Sequence, residues 1–387
     1  MTTINGLTGF IPRPERVAAL VAPPYDVIKP GTPLEALLQA RGDNLWHITL
    51  GPDPLAALAR LTASALVVLD RPSFLVYEQT WMSAQGPQRR IGVFTATAVT
   101  DYARGEVIRH EKTFDDKVQG RLALTRLTGL TLEPVFLLTR APITPLLERI
   151  AAAHQPDYDL TPDFAGLNDL HGLRSRIWLV PEDAGDGREL RALVAAQPLY
   201  IADGHHRYHA ALKNGQSHCL AYVVERASIQ AYNRVITGVK RFAEVRAALP
   251  LSPSTWATPA KGHARIWHQG KAWDLAFREV PKDVVGQLDC SCLERELYPQ
   301  LGLSHAMIKD PAHFDYYAEW ELPKMAEVVD RGDYDLAVAL HPVSLAELMA
   351  VADAGRVDSS IVMPEKSTFF APKILSGLVL YRHQTRA

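Results

Sequence analysis

From residue 134 to 225 the chain alternates between short apolar runs and helix-like segments, and this alternation restricts its fold more than any other feature. "PVFLLT" (134–139), "RIWLV" (176–180), "PLYIA" (198–202) and "HCLAYVVE" (218–225) have strand length and strand composition. Between them, "TPLLERIAAAH" (144–154), "GRELRALVAAQ" (187–197) and "YHAALK" (208–213) have helical composition. Such a chain is expected to build an α/β (α+β) core on a mixed sheet, and in such cores ligands gather at loops beyond strand ends. "FLVYEQTW" (74–81) and "RIGVFTATAV" (90–99), joined by a "SAQGPQ" turn, predict a hairpin, as does "ARIWHQGKAWDLAFRE" (264–279) around its "HQGK" turn.

The first 60 residues predict turns and extended segments, because Pro23, Pro24, Pro30 and Pro33 fix φ and lack a donor. Ser344 with Glu347 predicts a capping-box helix closed by Gly355, and the tail predicts a final strand. Proline-rich breaks near 141–163 and 249–260 suggest three regions, 1–150, 151–250 and 251–387.

Composition narrows the function. A net charge of −2 over 387 residues gives no basic excess for phosphate-backbone binding, so nucleic acid is not the expected partner. Three cysteines without paired C-x-x-C spacing suggest neither a disulfide framework nor a zinc site. The N-terminus lacks a basic-then-apolar leader and no run approaches a membrane span, so a cytoplasmic protein is expected. G-x-S-x-G and the dinucleotide fingerprint G-x-G-x-x-G are both missing, which disfavours serine hydrolysis and hydride transfer.

The densest chemistry lies in Asp203-Gly204-His205-His206-Arg207, after an apolar strand and before a helical segment. A helix N-terminus offers unpaired N–H groups to an anion. Arg207 adds a fork suited to phosphate, Asp203 suits a hydroxyl or Mg²⁺, and the imidazoles suit proton transfer or phosphate contact. The plainer alternative makes Asp203 a helix N-cap and Gly204 a turn residue. His205 and His209 are four apart, but neither H-E-x-x-H nor a carboxylate at standard spacing accompanies them, so a metal site ranks behind phosphate chemistry.

Three further blocks attract attention. His110-Glu111-Lys112-Thr113-Phe114 reads on composition alone as a surface charge cluster. Lys366, Ser367, Thr368 and Lys373 flank Phe369 and Phe370 in a turn-rich stretch, where lysines beside hydroxyls can cradle phosphate. Core packing is the expected role of the two phenylalanines. Pro23-Pro24 would fix Tyr25 and Asp26 in a rigid turn, at a site edge if they have a function.

"PPYDVI" (23–28), "HEKTF" (110–114), "ADGHHRY" (202–208) and "MPEKSTFFAPKILSGLV" (363–379), in that order, closely resemble the bacterial and archaeal DUF1015 family, a name that carries no activity. The D-G-H-H-R turn is also similar to the signature of the ParB/sulfiredoxin-like superfamily, which includes partition proteins, sulfiredoxins and free-serine kinases. That resemblance implies a nucleotide-binding region within 151–250, flanked by additional packed subdomains. It implies Glu111 as general base on a substrate hydroxyl, and Asp203 near the reacting hydroxyl or a Mg²⁺ ion. Carried over by position, His205, His206 and Arg207 would hold phosphates, with the two histidines counted in the catalytic set. Gly204, His110, Thr113, Lys366, Ser367, Thr368 and Lys373 are the further candidates for phosphate contact on their own chemistry.

The expected function is therefore phosphoryl transfer between a nucleotide (ATP or ADP) or pyrophosphate and a small hydroxylated partner, with serine or phosphoserine implied by the resemblance. Such chemistry asks for alignment, charge neutralisation and a placed base. The alternatives are a non-catalytic nucleotide-sensing module and a metal-dependent phosphohydrolase. The first would call for a helix-turn-helix or basic face. The second would call for another acidic cluster, of which Asp115 and Asp116 are the only hint. Oligomeric state stays open, a dimer being one option.

Overall fold

The four apolar runs of the alternating region form four strands of a mixed sheet that, among the described residues, has nine. The structure is a computed structural model and describes residues 2–83, 86–112, 115–164, 172–240, 242–310 and 312–383. Across the sheet the strands run Val107–Ile108, Leu199–Asp203, Val135–Thr139, His218–Val224, Gly86–Ala98, Ser73–Ser83, Arg174–Pro181 and Tyr158–Leu160, and Ile4–Asn5 also pairs with Gly86–Ala98. Leu199–Asp203 is parallel to Val107–Ile108, and His218–Val224 to Val135–Thr139; the other pairs are antiparallel. Helices Thr144–Ala153, Gly185–Ala195 and His205–Lys213 give their apolar stripes to a core with Val135, Leu137, Leu199, Ile201, Ala221 and Val223.

By contact the chain separates into two units, 1–227 with 372–387, and 228–371. These limits follow other lines than the proline-rich breaks, since the nine-stranded sheet takes strands from both 1–150 and 151–250. Beside that sheet the first unit holds a four-stranded one, in which Leu380–Arg382 returns from the C-terminal end to pair with Gly9–Pro12 and Leu130–Thr131. The second unit carries a six-stranded antiparallel sheet. Leu322–Asp330 covers it through Met325, Val328 and Val329.

Two local expectations are corrected. The first 60 residues contain helices Pro33–Ala40 and Pro54–Ser64, capped by the side chains of Thr32 and Asp53. Their prolines sit in the first helical turn, where a missing N–H costs nothing. The Ser344–Glu347 capping box forms as expected, but the helix passes through Gly355 to Val357. No helix among the described residues is long and apolar enough to cross a membrane.

Candidate functional site

The strand Leu199–Asp203 carries a bulge at Ala202: Ile201 pairs with Leu137, and Asp203 with Phe136. Period-two alternation would otherwise put Asp203 on the face of Leu199 and Ile201, inside the apolar core. Gly204 follows at φ +93°, and a Cβ there would meet Arg207 Nε at 2.9 Å, so this turn requires glycine. Helix His205–Lys213 then starts with no side-chain cap. Asp203 is thus not an N-cap.

The Asp203 carboxylate instead accepts two cations. Lys373 Nζ lies 2.9 Å from Oδ2 and Arg207 Nη2 lies 3.4 Å from Oδ1, while Arg207 Nη1 donates to the Pro134 carbonyl. Burial works to raise the Asp203 pKa, but Lys373 and then Arg207 outweigh it and hold the carboxyl well below the usual range. A carboxylate already facing an ammonium and a guanidinium does not fit Mg²⁺ as it stands.

The parallel pairing of Val107–Ile108 with Leu199–Asp203 sends both chains out at the same end of the sheet. Residues 95 positions apart therefore meet. His205 Nδ1 is 3.5 Å from Glu111 Oε2, His110 Nε2 is 3.7 Å from Glu111 Oε1, and the two imidazoles cross edge to face at 4.5 Å. The backbone N–H of His110 points at His205 Nε2, at 3.5 Å. His110 and His205 are buried, whereas the Glu111 side chain is 30% exposed. Burial pushes His110 down to about 4 and His205 well below its usual value, so both rings are neutral at pH 7.

On the other side of Arg207 lies a group with no sequence motif. Buried Glu133 accepts from the Tyr25 backbone N–H at 3.0 Å and from Ser376 Oγ at 3.4 Å, and Arg121 stands 3.8 Å away. Burial raises the Glu133 pKa against the pull of Arg207 and Arg121. Arg121 also covers the Tyr25 ring at 3.7 Å, and exposed Asp26 adds a further negative charge beside them. Arg121, Glu133, Arg207 and Gln216 line a cavity of about 40 Å³. That is room for a few waters and far short of a ligand pocket.

His206 is half-buried in the first helical turn, and His209 stacks on Tyr102. Thr113 lies outside the described residues, as do the side chains of Asp115 and Asp116. Lys373 belongs to the first unit, while Lys366, Ser367 and Thr368 belong to the second. There Lys366 adopts φ +57° with its Nζ 5.3 Å from the centre of the Tyr232 ring, and buried Ser367 donates to the Pro364 carbonyl. Phe370 is buried, as expected of a core residue, whereas Phe369 is only half-buried against Tyr232 and Trp320.

A sequence model described as "Protein of unknown function (DUF1015)" matches residues 4–291. No curated protein matches the chain. Among solved structures, a free serine kinase in complex with AMP is similar at 12% identity and a TM-score of 0.35, over 72% of this chain and 86% of that one. SbnI from Staphylococcus aureus, with a C-terminal truncation, is similar at 12% identity and 0.37, over 73% and 85%. A conserved hypothetical protein from Pyrococcus furiosus is similar at 13% identity and 0.35, over 73% and 92%. Overlaps this loose add nothing to the chemistry of the residues.

Proposed function

We propose that this chain, which belongs to the DUF1015 family, transfers a phosphoryl group between a nucleotide or pyrophosphate and a small hydroxylated metabolite. The observation that supports it most is the ring of charges around one strand end. Lys373 and Arg207 are fixed by Asp203 beside an uncapped helix start, and Glu111 stands against His205 on the same end of the sheet.

Each part has a task. Asp203 is a positioning residue that keeps two cations together at the mouth of the turn. Lys373, Arg207 and the first N–H groups of helix His205–Lys213 would neutralise the phosphate oxygens, with His206 beside them. Glu111 would accept the proton of the acceptor hydroxyl as its oxygen attacks phosphorus and the bond to the leaving phosphate breaks. His205, whose Nδ1 faces Glu111, orients that carboxylate. Serine is the acceptor, and phosphoserine the product or the donor in reverse, on the resemblance of the turn to the free-serine-kinase signature. This reading uses residues of the first unit alone and routes no step through a metal.

Incubation of the full chain with ATP, ADP or pyrophosphate and serine, or in reverse with phosphoserine, is followed by phosphorus NMR. A new phosphomonoester signal is expected, and Glu111→Gln should slow its appearance by about 10² or more. A chain that binds nucleotide and transfers nothing to any hydroxyl would refute the reading in favour of a sensing module.

A further inference from the structure

We propose that His110, Glu111 and His205 bind one divalent transition-metal ion of the Zn²⁺ type through two imidazole nitrogens and one carboxylate oxygen. A donor atom from each residue lies within 4.8 Å of the other two. His205 Nδ1 faces Glu111 Oε2 at 3.5 Å and His110 Nε2 faces Oε1 at 3.7 Å, both beyond the ordinary hydrogen-bond range of about 2.7–3.2 Å. Each contact is close to the spacing of about 3.4 Å between two donors on one tetrahedral ion with bonds of about 2.0–2.1 Å, so the one ligating oxygen already has such an edge with one imidazole and must close on the other.

A second observation is independent of that spacing. His110 is buried, and among the described residues neither of its ring nitrogens has a hydrogen-bond partner. Burial outweighs what the Ile201 backbone, as a longer hydrogen-bonding contact, and the Asp203 charge do to the ring. With Ile201 beside one ring nitrogen, the other is left unsatisfied in a buried place, which is expensive, and coordination at Nε2 would satisfy it.

The donor set also selects the ion. Two imidazoles suit Zn²⁺, Fe²⁺ or Co²⁺ better than the oxygen-seeking Mg²⁺ and Ca²⁺. Three protein ligands leave a coordination position for water or an anionic oxygen, and Glu111 is the partly exposed member through which an ion can arrive. Ligation through His205 Nδ1 moves the ring proton to Nε2, so the 3.5 Å contact from the His110 N–H must open.

The inference stands apart from the phosphoryl-transfer reading: it concerns where an ion binds and would hold if no nucleotide were turned over. With the ion in place Glu111 is a ligand, so the metal-free and metal-loaded chains differ in whether that carboxylate can take a proton. The test therefore reads binding alone. The full chain is stripped with a chelator and titrated with Zn²⁺ by calorimetry and with Co²⁺ by visible absorption. One equivalent is expected to bind with Kd below about 10 μM. His205→Ala and Glu111→Gln should each weaken it by about 100-fold. If circular dichroism shows that His205→Ala does not fold, the partly exposed Glu111→Gln decides alone. Weaker binding to the parent chain, or binding that the variants retain, overturns the proposal.

Discussion

The grip of Asp203 on Lys373 can be measured as a coupling energy. Two unit charges 2.9 Å apart attract by about 6 kcal/mol at an effective dielectric of about 20. Both groups give up hydration to meet, and with side-chain exposures of 12% and 28% neither is sealed from water. Desolvation should leave a net coupling of about 1–3 kcal/mol. Urea denaturation of the parent, Asp203→Asn, Lys373→Met and the double variant supplies it. The single Asp203→Asn change should cost more than Lys373→Met, because it removes the counter-charge that the ammonium and the Arg207 guanidinium share. Coupling below about 0.5 kcal/mol would refute the reasoning, since that is the worth of an exposed surface pair. Stability unchanged by Asp203→Asn would refute it too.

Two other changes probe the surroundings. Gly204→Ala places a Cβ 2.9 Å from Arg207 Nε at a φ of +93°, and should cost about 1–3 kcal/mol in denaturant melts; an unchanged midpoint would mean that the turn relaxes freely. Burial holds the Glu133 carboxyl above its usual range, so the native state keeps its proton to higher pH than the unfolded chain. The stability this gives is complete below the unfolded value of about 4.3 and is lost as pH rises through the folded one. Glu133→Gln stays neutral and should gain on the parent as pH rises from about 4 to 8 in a series of melts; a constant gap would contradict the assigned burial.

Much of the sheet was legible because period and composition agree. The runs at 74–81, 90–99, 134–139, 176–180, 198–202 and 218–225 all lie on strands, with ends displaced by at most four residues. The helices at Pro33 and Pro54 were hidden by reading proline as a breaker, although Thr32 and Asp53 stood at the N-cap as the opposing signal. Of the site, the strand–turn–helix at Asp203 was visible in five adjacent residues. Its distant neighbours were less so. Glu111 joins His205 only because two strands pair in parallel, and lone Glu133 before Pro134 carries no pattern that marks burial. Lys366 and Lys373 look equivalent in one turn-rich stretch, yet only chain return explains why Lys373 sits on Asp203.

The central claim is that the bend after Ala202 is a cationic cradle for phosphate. Calorimetric titration of ADP and of pyrophosphate into the parent chain, Arg207→Gln and Lys373→Met tests it directly. Saturable binding to the parent is predicted, with each variant weaker by about 10-fold or more. A parent chain that binds neither ligand, or variants that bind as tightly as the parent, would contradict it.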